Sequence, residues 1–159
     1  MTLETLNKLD ASTLGETLRS CCGSNSWVEK MLAAFPVKDK DTLLDAAAAV
    51  WYSCTEKDWR EAFAQHPKIG EKTANARAAA EQSGTRSASG EVLTALAAGN
   101  RAYEAKFGYI FIVCATGRSA EEMLGLLQER IGNDPEKEVL IARGEQGKIT
   151  RIRLEKLLT

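Results

Sequence analysis

Signals that start helices recur along this chain, whereas only one short run has the character of a β-strand. Polar capping residues precede apolar residues spaced three and four apart, a pattern that predicts amphipathic helices. The predicted spans run from Ser12 or Thr13 to Cys22, then Ser26–Phe35, Thr42–Cys54 capped by Asp41, Thr55–His66, Glu71–Gln82, Glu91–Lys106, Ser119–Ile131 and Asp134–Leu158. The sequence therefore predicts an all-α fold of about eight helices.

The β-like run is Tyr109–Ala115, which is apolar throughout. A single strand has no neighbour to satisfy its backbone N–H and C=O groups. We therefore expect a short, buried, extended segment among the helices, whose backbone polar groups find partners other than a strand.

Length and charge narrow the class of protein. A chain of 159 residues suits one compact domain, 1–159. Lys and Arg total 21 against 22 Asp and Glu, without a basic stripe, so nucleic acid is not an expected partner. The run Tyr109–Ala115 is far shorter than the ~20 residues of a membrane span, and Met1–Asp10 lacks the apolar core of a signal peptide. These features predict a cytoplasmic protein with no membrane partner.

The cysteines and the single histidine limit metal chemistry. Cys21, Cys22, Cys54 and Cys114 form no CxxC pair, and His66 is the only histidine. No zinc site is therefore expected. All four cysteines are predicted to be reduced thiols, three of them buried and Cys114 the exception.

His66 is the first candidate for chemistry. It lies between the end of a predicted helix and Pro67, which disfavours helical geometry in the residue before it. An imidazole held in this way can exchange protons near neutral pH. The alternative is a histidine that interacts favourably with the carboxyl end of the helix, where a cation is stabilised.

Glu81 is the second candidate. Ala78, Glu81 and Gln82 share one face of a predicted helix, and the small Ala78 leaves space beside the carboxylate and the amide. The alternative is a solvated pair between Arg77 and Glu81, which would contribute only ~0.3 kcal/mol.

Arg153 is the third candidate, because Ile149, Leu157 and Ala142 place it within an apolar arc of the last helix. A buried guanidinium needs a partner or a ligand. The alternatives are a side chain that extends to solvent and a buried ion pair. Arg151 lies nearly opposite on the helix and is expected to be solvated.

Four blocks of sequence, taken in order, resemble one family: the decarboxylases of 2-oxo-4-hydroxy-4-carboxy-5-ureidoimidazoline (OHCU), which complete the path from urate to allantoin. The blocks are Phe63–Gly70 (FAQHPKIG), Glu81–Gly84 (EQSG), Tyr103–Ala115 (YEAKFGYIFIVCA), and Arg130–Asn133 (RIGN) leading to Ile149–Leu154 (ITRIRL). The resemblance spans nearly the whole chain. It implies an all-helical, commonly dimeric enzyme that uses no metal or organic cofactor.

The resemblance also implies the residues of the site. Its catalytic residues fall on His66, Glu81 and Arg153. Its substrate contacts fall on Pro67, Ala78, Gln82, Phe111, Ile112, Val113, Cys114 and Ala115. Many members of the family have serine at the position of Ala78, so one substrate hydrogen bond is missing here or is made by water. The backbone of the β-like run would face the ligand, which would explain why no partner strand is predicted.

The activity implied is cofactor-independent decarboxylation of OHCU to (S)-allantoin, with His66 as general acid and base. Arg153 would pair with an anionic or carbonyl oxygen of the substrate, and Glu81 and Gln82 would hold its N–H groups. Two other interpretations stay open. One is a helical interaction module without catalysis, and the other is a hydrolase of purine breakdown that directs water with His66 and Glu81.

Overall fold

The computed structural model describes residues 1–70, 76–85 and 88–159. Their regular secondary structure is helical, and these residues include no β-strand. The helices are α1 Leu3–Lys8, α2 Ala11–Cys21, α3 Asn25–Ala34, α4 Lys40–Ser53, α5 Glu56–Phe63, α6 Ala76–Glu81, α7 Gly90–Phe107, α8 Ala120–Arg130 and α9 Pro135–Leu157, with a short 3₁₀ helix at Ser83–Thr85. The predicted all-α class is confirmed, with nine α-helices in the described residues where about eight were expected.

Three helices begin two residues earlier than the sequence predicts. The N-caps are Asp10, Ser24 and Asp39, in place of Ser12 or Thr13, Ser26 and Asp41. Each cap oxygen accepts the backbone N–H three residues further on, at 2.8, 3.3 and 2.7 Å respectively. Because two polar residues compete at each start, the cap is the one whose oxygen reaches a free N–H of the first turn.

At other helix ends, nearby side chains or a glycine form standard capping structures. Thr55 and Asp58 form a capping box, since Asp58 Oδ2 accepts the Thr55 N–H at 3.0 Å and Thr55 Oγ1 accepts the Asp58 N–H at 3.4 Å. Ser119 and Glu122 form a second capping box at the start of α8. Gly108 ends α7 with a φ of 82°, a left-handed conformation that suits glycine.

The sequence did not predict α1, which presents only Leu6 to the interior. The helix predicted to reach His66 ends earlier, at Phe63, and its last turn continues as a turn in which the His66 N–H donates to the Phe63 carbonyl at 3.2 Å. The predicted start of the next helix at Glu71 lies outside the described residues.

The chain divides into two compact units. The first comprises Met1–Ala62 and Gln146–Thr159, and the second comprises Phe63–Glu145. A single domain over 1–159 stays a prediction.

The first unit has a core of tryptophan and aliphatic side chains. Trp27 and Trp51 are almost fully buried. Trp27 Nε1 donates to the Ala47 carbonyl at 3.1 Å, and Trp59 Nε1 donates to the Trp51 carbonyl at 3.0 Å. Each large ring is thereby buried with its polar atom satisfied.

The second unit is centred on aromatic rings. Tyr103 packs against Phe107, Tyr109 and Phe111, with ring centroids 4.6, 5.9 and 5.3 Å away. Rings at these separations and tilts attract one another beyond their burial. The cluster joins α7 to the segment that follows it.

All four cysteines are buried and free of disulfides. This corrects the expectation for Cys114, which is 7% exposed and buried like the others. Its neighbours in the extended segment are equally covered, so the thiol shares their burial. No helix within the described ranges is long and apolar enough to span a membrane.

Candidate active site

His66 opens a short connector, His66–Gly70, that is fixed at its far end. The Ile69 carbonyl accepts a hydrogen bond from Asn100 Nδ2 at 2.9 Å, and the Gly70 N–H donates to Gln82 Oε1 at 3.1 Å. Gly70 has a φ of 84°, which a residue with a side chain rarely adopts. His66 is itself half-buried. The connector therefore holds a partly accessible imidazole on a restrained backbone.

Ala78, Glu81 and Gln82 are buried together, as the helical spacing predicts, at 3%, 9% and 7% exposure. The burial of Glu81 disfavours a solvated surface pair, and the side chain of Arg77 lies outside the described residues. A buried carboxylate is costly unless it is paired or hydrogen-bonded, so Glu81 is not an ordinary solvated side chain of the helix surface.

Gly84 allows two stretches of backbone to approach each other closely. A Cβ atom at this position would lie 2.1 Å from the carbonyl oxygen of Arg118. The backbone after Glu81 and Gln82 therefore approaches the start of α8 as closely as only glycine allows.

The extended segment, Tyr109–Ala115, confirms the predicted buried passage. Phe111 to Ala115 are between 2% and 7% exposed and form no strand. Arg130 Nη1 donates to the Ile112 carbonyl at 2.7 Å, and the Cys114 N–H donates to Glu145 Oε1 at 3.2 Å. Side chains therefore replace a partner strand along this edge.

The opposite edge of the segment is different. In extended backbone, the polar groups of alternate residues face opposite edges, so those of Phe111 and Val113 face away from Arg130 and Glu145. The backbone groups of these two residues make no hydrogen bond within the described part of the chain. Buried backbone groups are nearly always paired. This edge can therefore accept a polar ligand.

A buried ion pair supports the segment from behind. Arg130 Nη2 lies 2.6 Å from Glu138 Oε2, and their side chains are 7% and 0% exposed. The Tyr103 hydroxyl and Asn133 Nδ2 also donate to the Glu138 carboxylate. Burial and the hydrogen bond to Glu138 raise the pKa of Tyr103 above its usual range, so its hydroxyl stays protonated.

Sequence reasoning did not identify Glu138, Glu145 or Asn100 as parts of this arrangement. Glu138 and Glu145 are two helical turns apart on α9, on a face that also carries Val139 and Ala142. The presence of two carboxylates on an apolar helix face was the sequence signal that could have identified Glu138 and Glu145.

Arg153 belongs to the first unit, whereas the other predicted site residues belong to the second. It is half-buried, and its Nη1 donates to the Ser20 carbonyl at 3.4 Å. Ile149 is buried as expected. Arg151 is exposed as predicted and pairs with Glu155 at 2.9 Å.

Metal ligands are not clustered in the described ranges: no group of three or more His, Cys, Asp or Glu side chains could hold an ion there. The cofactor-free chemistry stays a prediction.

The fold is that of helical decarboxylases of urate degradation. It superposes on the crystal structure of an OHCU decarboxylase in the presence of (S)-allantoin with a TM-score of 0.80 and 39% identity, over 88% of this chain and 95% of the other. The sequence model described as OHCU decarboxylase matches residues 7–155. The chain therefore belongs to the OHCU decarboxylase family, and the predicted family is confirmed.

The sequence is similar to two curated proteins of urate degradation. It is 39% identical over 150 residues to the uric acid degradation bifunctional protein TTL of Arabidopsis thaliana, covering 87% of this chain and 45% of that protein. It is 35% identical over 99 residues to the 2-oxo-4-hydroxy-4-carboxy-5-ureidoimidazoline decarboxylase of Amia calva, covering 57% of this chain and 52% of that protein. The chain spans about half the length of these relatives.

Proposed function

We propose that this chain decarboxylates OHCU to (S)-allantoin, the last step from urate to allantoin, without a cofactor. Membership of the family supports the reaction. The structural observation that carries the proposal is the extended segment, whose Phe111 and Val113 backbone groups are buried without a protein partner in the described residues. A substrate rich in carbonyl and N–H groups suits such an edge.

Backbone groups that already bind protein atoms can be excluded from the proposed substrate contacts. The Ile112 carbonyl and the Cys114 N–H already bind protein side chains, and the Ala115 carbonyl accepts the Arg118 N–H at 3.0 Å. The proposed backbone contacts are therefore made chiefly by Phe111 and Val113, with only the N–H of Ala115 added. Ile112 and Cys114 then act mainly by fixing the segment.

Beside the connector, Gln82 Oε1 accepts the Gly70 N–H, so its Nε2 donors suit a substrate oxygen. Glu81 is proposed to accept the ureido or ring N–H groups, with Pro67 and Ala78 shaping the wall beside them. The absence of a hydroxyl at Ala78 leaves one substrate polar group to water.

His66 is the proposed general acid and base. The bond from the ring carbon to its carboxylate breaks, CO₂ leaves, and the electron pair passes into the conjugated C=N of the substrate ring. The nitrogen of that C=N takes a proton, and the hydroxyl on the carbon that lost CO₂ gives up its proton as this carbon becomes a carbonyl. The former C=N carbon, which bears the ureido group, takes the other proton, and delivery of this proton by His66 from one side would give a single enantiomer. Proton transfer of this kind typically contributes about 10²- to 10⁴-fold in rate.

Arg153 is proposed to bind an anionic or carbonyl oxygen of the substrate through its planar guanidinium. This role rests on the family resemblance and on the position of the residue within a partly apolar helix face. The role is tested by comparing kcat/KM of Arg153→Lys with that of Arg151→Lys.

The experiment is turnover of freshly generated urate-oxidation product with analysis of what is released. Decarboxylation predicts CO₂ in equal amount to (S)-allantoin, faster than the spontaneous decay. Release of ammonia or urea would instead indicate a hydrolase, and decay at the spontaneous rate would indicate an interaction module.

Activity should also survive EDTA and exhaustive dialysis, and a loss of activity that is restored by one metal would contradict the cofactor-free chemistry.

Two further proposals follow from the resemblance and the composition. The chain is proposed to form a homodimer and to act in the cytoplasm. Light scattering of the purified protein and fractionation of its source cells test them.

A further inference from the structure

The ion pair of Arg130 and Glu138 is unusual because it is buried so completely. Glu138 has no exposed surface, and Arg130 contacts it through both Nε, 3.0 Å from Glu138 Oε2, and Nη2. Removing two charges from water is costly, and a buried pair of this kind is often no more stabilising than apolar side chains of the same volume. Stability alone therefore does not account for it.

The pair holds the extended segment at two points. Arg130 has one further donor, Nη1, and it binds the Ile112 carbonyl at 2.7 Å. The guanidinium carbon also lies 4.6 Å from the centre of the Phe111 ring, a cation–π contact. On the other side, the Tyr103 hydroxyl and Asn133 Nδ2 fix the Glu138 carboxylate. The plane of the guanidinium is thus set by Glu138, and the segment is set by the guanidinium.

This arrangement substitutes for strand pairing. In a sheet, the ladder of hydrogen bonds fixes which residues face which edge, and a shift of one residue exchanges the two edges. The extended segment has no such ladder within the described residues. Its bond to Arg130 turns the Ile112 carbonyl to one edge and thereby turns the backbone groups of Phe111 and Val113 to the other.

We propose that Arg130 and Glu138 are positioning residues that fix the substrate-binding edge of the extended segment. This inference rests on the proposed function, in which Phe111 and Val113 bind the substrate. We further propose that these backbone contacts are made to a part of the substrate that does not react, so that their loss weakens the binding of ground state and transition state alike. The expected signature is therefore a raised KM with a smaller change in kcat, whereas loss of His66 lowers kcat.

The test compares a double variant with a matched control. Arg130→Met with Glu138→Leu removes both charges and keeps apolar volume, so the protein should stay folded. We expect its KM to rise about tenfold or more. Leu127→Ala on α8, in the same unit, removes buried apolar volume next to Gly99 of α7 and leaves both charges of the pair and the donor to the Ile112 carbonyl in place, so KM should stay unchanged. If the double variant does not fold, Arg130→Lys keeps the charge but loses the forked geometry, and the same rise in KM is expected.

Amide hydrogen exchange of the peptide containing Tyr109–Ala115 gives a readout that needs no activity. Exchange at Cys114 and its neighbours should accelerate in the double variant, or in Arg130→Lys, and much less in Leu127→Ala. Wild-type KM together with wild-type exchange would overturn the proposal. If the wild-type chain does not turn over OHCU, the proposed function fails, and the exchange experiment alone decides whether the pair holds the segment.

Discussion

At the scale of single residues, burial changes the interpretation of Glu81 most. A solvated pair with Arg77 would have been an ordinary helix-surface contact. At 9% exposure, the carboxylate has instead given up most of its water, which is unfavourable unless it is paired or hydrogen-bonded. The burial of Gln82 beside it extends the same argument to an amide. The burial excludes an ordinary helix-surface contact, and the role of both side chains in binding the substrate stays a proposal.

Cys22 shows how burial affects titration. The thiol is 1% exposed, and burial, as the main cause, raises its pKa to about 12 from 9.0. Between these two pH values the unfolded chain loses the thiol proton while the folded chain keeps it. The stability contributed by the neutral thiol is therefore fully present below pH 9 and is lost as the pH rises towards 12.

We predict that Cys22→Ala flattens the alkaline loss of stability. Urea unfolding under reducing conditions, at steps from pH 8 to 11, should give a wild-type free energy of unfolding that falls more steeply than that of the variant. The difference in slope should approach about 1.4 kcal/mol per pH unit, the value for one proton. Absolute stabilities differ because a buried side chain is shortened, so only the slopes are compared. Parallel curves would show that the thiol ionises equally in both states.

At the scale of elements, local chemistry predicted most helices, and non-local contacts account for the rest. The capping boxes at Thr55 and Ser119 were readable because both partners lie within four residues. Three N-caps were placed two residues late because neighbouring polar residues are locally equivalent. The extended segment was predicted to be buried, but its partners Arg130 and Glu145 were not, because the hydrogen bonds join residues 18 and 31 positions apart.

The last helix, α9, carries a prediction of its own. Arg151 and Arg153 lie about 200° apart around the helix axis, so they face different surroundings. Arg151 is exposed and pairs with Glu155, whereas Arg153 is half-buried. We predict that Arg153→Lys lowers kcat/KM and that Arg151→Lys leaves it nearly unchanged. Lysine keeps the charge but cannot form two parallel hydrogen bonds to a planar pair of oxygens.

The lost interaction should amount to about 2–3 kcal/mol, which corresponds to a decrease of roughly 30- to 150-fold in kcat/KM. Both variants are measured side by side, with substrate at limiting and saturating concentrations. Equal activity in the two lysine variants would remove Arg153 from the proposed reaction.

At the scale of the whole molecule, the order of four short blocks in the sequence was enough to predict the family and the all-α class. The sequence did not predict the hydrogen bonds that connect these blocks to distant parts of the chain. Asn100 binds the Ile69 carbonyl 31 positions away, and Gln82 binds the Gly70 N–H 12 positions away. Contacts of this kind depend on how helices pack, and no local pattern of polar and apolar residues encodes them.

The central claim is that this chain decarboxylates OHCU and that His66 delivers the proton to one face of the product. The most direct measurement is chiral analysis of allantoin formed from fresh urate-oxidation product by the wild-type chain and by His66→Asn, with circular dichroism on the same samples. We expect rapid formation of (S)-allantoin by the wild type. For the folded variant we expect near-racemic product at close to the spontaneous rate, because the chain has no other imidazole. A folded variant that keeps more than about a tenth of the wild-type rate, with (S)-allantoin as its product, would contradict the role of His66.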